Sequence, residues 1–242
     1  MDEKKENLFS EIKKKYRHIS ARETIENSLR VVHLNPMTYV YYRNNPESLK
    51  NIDAFRFDGF YMVGVLRLFG IKIYEPQSFD FSSLAPSFFS ALQNDRGKMY
   101  VIGGSEVEIK MFCEIVLSKY PSIQLVGYHD GYFDINDKNK VLYITQEIIK
   151  RKADFLLVGL GGTRQEKFIS YLSESCSCAM MSCGAFISQT SAKSNYFPPF
   201  FKKYKIRWLI RFYREPRVIA RVLKYYPLFF FVVLLDWIKC RE

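Results

Sequence analysis

Residues 98–121 read KMYVIGGSEVEIKMFCEIVLSKYP, and this stretch decides the fold. An apolar run ends in Gly103 and Gly104, and an amphipathic helical pattern follows until Pro121 stops it. The same order recurs on both sides, where runs such as ADFLLVGLGG alternate with helical stretches of about 10 to 16 residues. This alternation predicts an α/β fold with a doubly wound, mostly parallel sheet flanked by helices.

The composition excludes a disordered chain and a disulfide scaffold. Of the 242 residues 48% are apolar and 17% are aromatic, enough to bury a core. The five cysteines are odd in number and lack framework spacing, which favours a reducing compartment. Cys176, Cys178 and Cys183 lie close in sequence, but the three histidines lie far from them, so we expect no zinc site.

The positive charge is concentrated at the C-terminus. Residues 200–242 hold eleven cations and three anions, which is +8 of the total net charge of +11. The pattern predicts two short helices, with Pro216 in the first turn of the second. One apolar stripe on that second helix precedes the apolar run YYPLFFFVVLLDW. The stripe consists of Val218, Ile219, Val222, Leu223 and Tyr226.

Such a basic, apolar tail is typical of an interfacial segment on an anionic membrane surface. Packing of the stripe on the protein body or on a second subunit, as in a homo-oligomer, is the alternative. The run lacks the Asn, Gln, Ser and Thr side chains of a nucleic-acid interface, so we expect no nucleic-acid partner. Residues 227–235 are about half a membrane span, so the sequence predicts no crossing.

The sequence predicts three segments. Residues 1–30 form an N-terminal helical segment, residues 31–195 form a Rossmann-like core, and residues 196–242 form a membrane-associating helical appendage. The first residues, MDEKKENLFSEIKKKYRH, contain no apolar secretory signal, so we expect the protein to stay in the cytosol.

Two glycine turns open predicted helices, at residues 103–105 and at residues 159–163. Glycines allow close backbone approach, and helix N-termini bind phosphate, so the turns suit a mononucleotide or a sugar phosphate. Neither turn is a dinucleotide fingerprint or a P-loop, and ordinary tight turns are an equal alternative. Asp58 and Gly59 end a further strand, at a position typical of a turn or of a ligand site.

Several segments taken together carry a family resemblance. They are GYHDGYF at 127–133, VGLGGTRQEK at 158–167, WLIRF at 208–212 and EPR at 215–217, with Asn35-Pro36 and Asp58-Gly59 in the family's order. With these motifs the chain resembles the WecG/TagA/CpsF glycosyltransferases, family 26 of that enzyme class, over residues 30–225.

The resemblance implies a Rossmann-like core and a C-terminal appendage that completes the active site. It implies an inverting, metal-independent hexosyl- or N-acetylhexosaminyltransferase that needs no cofactor. The donor would be a UDP-sugar and the acceptor an undecaprenyl-diphosphate-linked saccharide, used at the inner face of the cell membrane. The product would enter capsule, exopolysaccharide, O-antigen or teichoic acid.

The resemblance also assigns roles to residues. Asp58 would be the general base, and a partly desolvated carboxylate suits that work. Asn35 would hold sugar or acceptor hydroxyls, and Gln165 would bond a uracil edge or a sugar hydroxyl. Glu166 either binds substrate or only favours the helix N-terminus through the dipole. The other substrate-binding candidates are Gly103, Gly104, Asp130, Gly131, Tyr132, Gly159 and Gly161, and Arg211, Arg214 and Arg217 would neutralise the leaving diphosphate.

The chain departs from the family pattern in several places, and in the Gly-Thr-Pro-Lys-Gln-Glu motif Gly162 and Thr163 replace the Thr and Pro. Ile187 stands where the family has Asp, Tyr196 and Phe197 replace its Arg-Ala, and Arg207 replaces a Glu. These changes keep a rival hypothesis open. In that hypothesis the chain is a catalytically silent member that serves as a membrane-docked scaffold or partner in polysaccharide assembly.

Overall fold

A computed structural model describes residues 7–192 and 216–241, and every structural statement below concerns these residues. Their strands form one parallel six-stranded sheet in the order β2-β1-β6-β5-β3-β4. The strands are β1 Arg30–Leu34, β2 Ala54–Phe57, β3 Lys98–Gly103, β4 Gln124–His129, β5 Phe155–Gly159 and β6 Ala179–Ser182. The predicted α/β, Rossmann-like fold is confirmed.

Helices cover both faces of the sheet. On the first face lie α1 Leu8–Lys15, α3 Pro36–Arg43, α4 Phe60–Leu68, α7 Lys138–Arg151, α8 Arg164–Leu172 and the C-terminal α10 Pro216–Lys239. On the second face lie α2 Ala21–Glu26, α5 Ala85–Asn94, α6 Glu106–Lys119 and α9 Phe186–Ser191. A short 3-10 turn, Pro46–Leu49, follows α3.

Alternating burial along the strands creates the two cores. In β5, Leu156 and Val158 face the first layer, whereas Phe155 and Leu157 face the second. Strands that are buried on both faces read as continuous apolar runs, which is why the sequence revealed them.

The C-terminal helix differs from the prediction. The predicted second helix of the tail begins at Pro216, but it continues through Pro227 to Lys239 instead of ending early. Proline removes one backbone hydrogen bond from a helix, yet Phe229 and Val233 of the next turns are fully buried in the first core. Their burial holds the helix together. The predicted first helix lies outside the described residues.

Candidate active site

The carboxyl ends of all six strands meet at one edge of the sheet, where open α/β sheets bind their ligands. Apart from Arg217 of α10, the described residues that the sequence nominated lie at this edge. In strand order they are Asn35 after β1, Asp58 after β2, Gly103 and Gly104 at the end of β3, Asp130, Gly131 and Tyr132 after β4, and Gly159, Gly161, Gln165 and Glu166 from the end of β5 into α8.

Asn35 and Asp58 lie side by side because β1 and β2 are paired, with Leu34 opposite Phe57. The Asp58 amide donates to the Leu34 carbonyl at 2.9 Å, and the Asp58 side chain is half-buried. Asn35 caps α3, where its Oδ1 accepts from the amides of residues 37 and 38 at 3.0 and 3.1 Å. The cap fixes the Asn35 side chain at the end of β1, and Asp58 follows the paired end of β2. We call this pair the carboxylate end.

The direction of the chain connections reverses between β3 and β5, and in a doubly wound sheet such a switch point forms a crevice. β3 leads through α6 to β4 on one side, whereas β5 leads through α8 to β6 on the other. The two helices pack on opposite faces of the sheet. Such a switch point is where doubly wound sheets bind nucleotides.

Main-chain atoms form the walls of this crevice. A Cβ on Gly103, whose φ is +140°, would lie 2.4 Å from the Gly159 carbonyl oxygen. A Cβ on Gly131 would lie 3.0 Å from the Gly103 Cα, and the Gly131 amide donates to the Gly104 carbonyl at 2.7 Å. At residue 103 only glycine fits, whereas at Gly131 a Cβ would require the neighbouring atoms to shift. We call Gly103, Gly104, Gly131 and Gly159 the glycine crevice.

The helix that follows β3 begins at the glycine crevice. Ser105 and Glu108 form a capping box, in which the Ser105 amide donates to Glu108 Oε2 at 2.6 Å. The amides of a helix N-terminus and the helix dipole favour an anionic ligand such as phosphate. Because the capping box engages the amides of Ser105 and Glu108, the amides of residues 106 and 107 are the ones that could meet a diphosphate.

The loop after β4 is held by a residue that the sequence reasoning did not nominate. The Arg164 guanidinium, at the start of α8, donates to the Gly131 carbonyl at 3.0 Å and also to the Phe133 carbonyl. The neighbouring Asp130 carboxylate accepts from the Tyr132 amide at 2.8 Å, and the Tyr132 ring is exposed. The sequence signal that could have identified Arg164 is its position two residues after the pair Gly161-Gly162.

Gln165 and Glu166 are buried in a hydrogen-bond network. Gln165 Nε2 donates to Glu166 Oε1 at 2.7 Å, and Gln165 Oε1 accepts from the Gly184 amide at 3.0 Å. Their predicted roles in substrate binding stay predictions, because in the described structure these polar atoms contact the protein itself. Burial raises the pKa of Glu166 to about 7, although the hydrogen bonds from Gln165 and Tyr42 act to lower it.

The Tyr42 hydroxyl links Glu166 to the start of α8. It lies 2.8 Å from both the Thr163 carbonyl oxygen and Glu166 Oε2. Its one proton can go to either oxygen: donation to Glu166 favours the carboxylate, whereas donation to Thr163 leaves Tyr42 to accept from a protonated Glu166.

A second buried polar cluster was also missed. His33 and Arg56 are register neighbours on β1 and β2, and the His33 amide donates to Ser182 Oγ at 2.7 Å. Burial, together with the charge of Arg56, lowers the pKa of His33 to about 4. His33 is therefore a neutral imidazole two residues before Asn35. No sequence motif marks this cluster.

The sequence of the chain is similar to those of known proteins. The sequence model of the Glycosyl transferase WecG/TagA/CpsF family matches residues 10–242. The chain belongs to the WecG/TagA/CpsF family. It is thus a glycosyltransferase by descent, as the motifs predicted.

Individual WecG/TagA/CpsF proteins are similar to the chain over much of its length. The UDP-Gal:alpha-D-GlcNAc-diphosphoundecaprenol beta-1,4-galactosyltransferase of Shigella boydii is 29% identical over 205 residues, which are 82% of this chain and 83% of that protein. The N-acetylglucosaminyldiphosphoundecaprenol N-acetyl-beta-D-mannosaminyltransferases of Bacillus subtilis and Bacillus spizizenii are 26% and 25% identical. Those two alignments cover 52% and 58% of this chain and 48% and 53% of those proteins.

One departure from the WecG/TagA/CpsF pattern lies in the crevice itself. The Ile187 side chain is buried, and its methyl groups would lie 3.0 Å from a Cβ on Gly104 and 2.8 Å from a Cβ on Gly159. An apolar contact thus stands where the family has a carboxylate. Tyr196, Phe197 and Arg207 lie outside the described residues, and so do Arg211 and Arg214. Arg217 is in the first turn of α10, and its side chain is not described.

The WecG/TagA/CpsF appendage is anchored to the site through α3. Asp236 of α10 is buried, and its carboxylate accepts from Tyr39 at 3.0 Å and from Arg43 Nε at 2.8 Å. The Phe229 ring meets the Tyr39 ring at 5.1 Å, edge to face. Because Asn35 caps the same helix, the appendage and the carboxylate end share one support.

The outer side of α10 is apolar. Tyr226 stacks on Tyr61 of α4 at 4.7 Å, and Phe69 after α4 contacts Phe230 and Trp237. These contacts leave other side chains exposed to solvent, with Leu223 at 72% and Leu68 at 70% exposure. We define the apolar face by its exposed members, which are Leu223, Leu228, Phe231, Leu235 and Ile238 of α10 with Phe60 and Leu68 of α4.

Cations border the apolar face. Arg221, Lys224 and Lys239 are exposed on α10, and the guanidinium of Arg241 lies 3.9 Å from the Trp237 ring centroid. Within residues 7–192 and 216–241, none of the helices combines the length and the apolarity that crossing a bilayer requires.

Proposed function

We propose that the chain transfers a hexose or N-acetylhexosamine from a UDP-sugar to N-acetylglucosamine on undecaprenyl diphosphate. The activities for which the relatives are named support this pairing of donor and acceptor. The observation that carries the proposal is one sheet edge that holds both a main-chain diphosphate crevice and, at β1 and β2, the Asn35–Asp58 pair. The product would serve capsule, exopolysaccharide, O-antigen or teichoic acid synthesis.

The mechanism follows from the chemistry of the carboxylate end. The Asp58 carboxylate accepts the proton of an acceptor hydroxyl as that oxygen attacks the anomeric carbon of the donor. The bond from the anomeric carbon to the diphosphate oxygen breaks, and the electron pair leaves with UDP. Attack from the side opposite UDP inverts the anomeric centre, consistent with the β linkages in the names of the relatives. The Asn35 amide orients the hydroxyls beside the base.

The leaving group needs positive charge where UDP departs. The N-terminus of α6 supplies amides at the glycine crevice, and the Arg164 guanidinium supplies a cation beside it. We assign the remaining charge to Arg211, Arg214 and Arg217 of the appendage. The packing of α10 on α3, the helix that Asn35 caps, supports that assignment.

The apolar face with its bordering cations supports peripheral attachment to the inner face of the cell membrane. Apolar side chains that enter the headgroup region and cations that meet anionic lipids act together in such attachment. This location would bring the carboxylate end to the lipid-linked acceptor, because α4 begins two residues after Asp58 and contributes Phe60 to the apolar face. A second subunit that covers the same face is the competing arrangement.

The test of transfer is UDP release from a panel of UDP-sugars with a lipid-diphosphate N-acetylglucosamine acceptor. We expect release with one donor in the wild type and its loss in Asp58→Asn. Release at equal rates in both would overturn Asp58 as the base. The absence of release with every donor, beside intact vesicle binding, would favour the silent scaffold.

The test of attachment is co-sedimentation with vesicles that contain phosphatidylglycerol. We expect the double variant Leu223→Asp, Phe231→Asp to lose binding, and added salt to weaken binding of the wild type. The matched control is Leu142→Asp, an exposed apolar residue of α7 away from the apolar face. Unchanged binding of the double variant would contradict attachment through this face.

A further inference from the structure

A cavity of about 420 Å³ opens beside β2, the edge strand that leads into Asp58. It is lined by Tyr16, His18, Tyr74, Glu75 and Gln77. The proposed function has not used this cavity, and no residue of it belongs to the motifs that define the family resemblance.

The cavity lies at the carboxyl end of β2, on the side away from β1. The Gln77 amide donates to the Phe57 carbonyl at 2.9 Å, and the Tyr16 ring meets the Phe57 ring at 5.3 Å. Phe57 is the last residue of β2 and precedes Asp58. The cavity and the base are therefore neighbours.

The order of features along the sheet edge separates donor from acceptor. The glycine crevice begins at β5, which is three strand spacings, about 14 Å, from β2. Asp58 thus stands between the crevice on one side and the cavity on the other. The crevice is the proposed donor side of Asp58, so the cavity lies on the side that is left for the acceptor. A saccharide in the cavity would extend its attacking hydroxyl past Asp58, so that this oxygen lies between the carboxylate and the anomeric carbon.

The lining of the cavity has the chemistry that binds a pyranose ring. The rings of Tyr16 and Tyr74 offer apolar faces to sugar C–H groups, and Glu75 and Gln77 offer hydrogen bonds to hydroxyl and acetamido groups. Tyr74 is 80% exposed, although Arg67 holds its segment by donating to the Ile73 carbonyl at 2.6 Å and to the Tyr74 carbonyl. The Tyr74 ring is therefore accessible to a ligand in the cavity, while Arg67 holds the backbone of residues 73 and 74 in place.

A buried cation orients the amide of Gln77. Arg56 is buried, and its Nη1 donates to Gln77 Oε1 at 2.7 Å. The oxygen of the amide thus faces Arg56, which leaves the Nε2 donor for a hydroxyl or carbonyl oxygen in the cavity. This is a preorganised polar contact inside an otherwise aromatic and acidic lining.

We infer that the cavity is the subsite for the acceptor saccharide, where the N-acetylhexosamine of the lipid-linked acceptor binds against Tyr16 and Tyr74. This inference rests on the proposed function, because it names where that function's second substrate binds. Tyr74, Glu75 and Gln77 are then specificity residues for the acceptor, and the donor does not touch them.

The experiment compares Tyr74→Ala and Glu75→Gln with the wild type in steady-state transfer, with donor and acceptor varied separately. We expect the acceptor KM to rise about tenfold in Tyr74→Ala and the donor KM to stay within about twofold. The matched control is Tyr143→Ala, an exposed tyrosine of α7, which leaves both constants unchanged. An unchanged acceptor KM, or a rise in the donor KM instead, would overturn the subsite.

A binding readout keeps the subsite separate from the reaction. Saturation-transfer NMR with soluble N-acetylglucosamine 1-phosphate should show contact with the wild type and with Tyr143→Ala, and weakened contact with Tyr74→Ala. Equal saturation transfer to the ligand from all three proteins would refute the subsite. The lack of turnover in the wild type would contradict the proposed function, whereas the NMR comparison would still decide what the cavity binds.

Discussion

The glycine crevice and the carboxylate end occupy the same sheet edge but are built from different atoms. In the crevice the walls are main chain, and an added Cβ at Gly103 would lie 2.4 Å from a carbonyl oxygen. At the carboxylate end the working groups are the side chains of Asn35 and Asp58, held by a helix cap and a strand pair. In the proposed function the first region binds the diphosphate of the donor, and the second supplies the reactive groups.

This difference predicts two kinds of damage. A substitution in the crevice changes the space available and acts on donor affinity and stability together. A substitution at the carboxylate end leaves the backbone in place and acts on the rate. The kinetic signature of a variant therefore shows which region it touches.

The largest expected effect is that of Asp58→Asn, which keeps the side-chain volume and removes the base. We expect kcat to fall about 10²- to 10⁴-fold, the typical share of a general base, while the donor KM stays unchanged. Steady-state kinetics of UDP release measure both constants. Asp95→Asn, at an exposed position beyond α5, is the control and should match the wild type. A main effect on donor KM would erase the distinction between the regions.

Gly103→Ala should give the opposite signature. The new methyl group meets the backbone of Gly159, so β3 and β5 must shift, at a cost on the order of 2 to 4 kcal/mol of stability. We expect a higher donor KM and a lower melting temperature. Gly64→Ala, in the exposed middle of α4 with open space around the new Cβ, should instead stabilise the protein by about 0.5 to 1 kcal/mol. A crevice variant as stable as the wild type would contradict close packing.

Asp236→Asn tests the support that links the appendage to the carboxylate end. The variant weakens the bonds to Tyr39 and Arg43, and since Arg43 is partly exposed we expect a loss of about 1 to 2 kcal/mol. Chemical denaturation measures this loss in the free energy of unfolding. The exposed Glu106–Lys110 pair offers a control, because Glu106→Gln should cost less than about 0.5 kcal/mol. Equal losses of stability in the two variants would show that the buried Asp236 contacts contribute no more than an exposed ion pair.

The raised pKa of Glu166 predicts a smaller effect, which is a dependence of the stability of the protein on pH. Its pKa is about 7 in the folded protein and 4.5 in the unfolded reference, so between these values the folded state binds more protons. The contribution of Glu166 to stability therefore falls as the pH rises from about 4.5 through 7, and is constant above that range. In Glu166→Gln this dependence disappears, because the amide mimics the protonated acid.

Melting temperature against pH, compared between wild type and Glu166→Gln, measures this effect. The difference between the curves isolates Glu166, because His33, with a pKa near 4, titrates in both proteins. Parallel curves from pH 5 to 8 would show that Glu166 is ionised throughout.

Much of the fold was predictable because its signals are local. Apolar strands, glycine turns and the Ser105 cap each occupy a few consecutive residues, and Asp58 follows its strand directly. The extension of α10 past Pro227 was not predictable, because it depends on the burial of Phe229 in a core that distant segments build.

The supporting contacts of the site were unpredictable for a related reason. Tyr42 and Glu166 are 124 positions apart, and Tyr39 and Asp236 are 197 positions apart. Neither pair leaves a spacing signal in the sequence. Arg56 was missed because a cation in a strand normally indicates an exposed edge position, whereas here it is buried beside Gln77.

The main-chain walls of the glycine crevice have an evolutionary consequence. Backbone atoms are nearly the same whatever the side chains are, so a diphosphate site of the kind proposed here would bind without registering which sugar the diphosphate carries. Lineages can then exchange one donor sugar for another without rebuilding the phosphate pocket. The galactosyl- and N-acetylmannosaminyltransferases among the relatives are what such drift would produce.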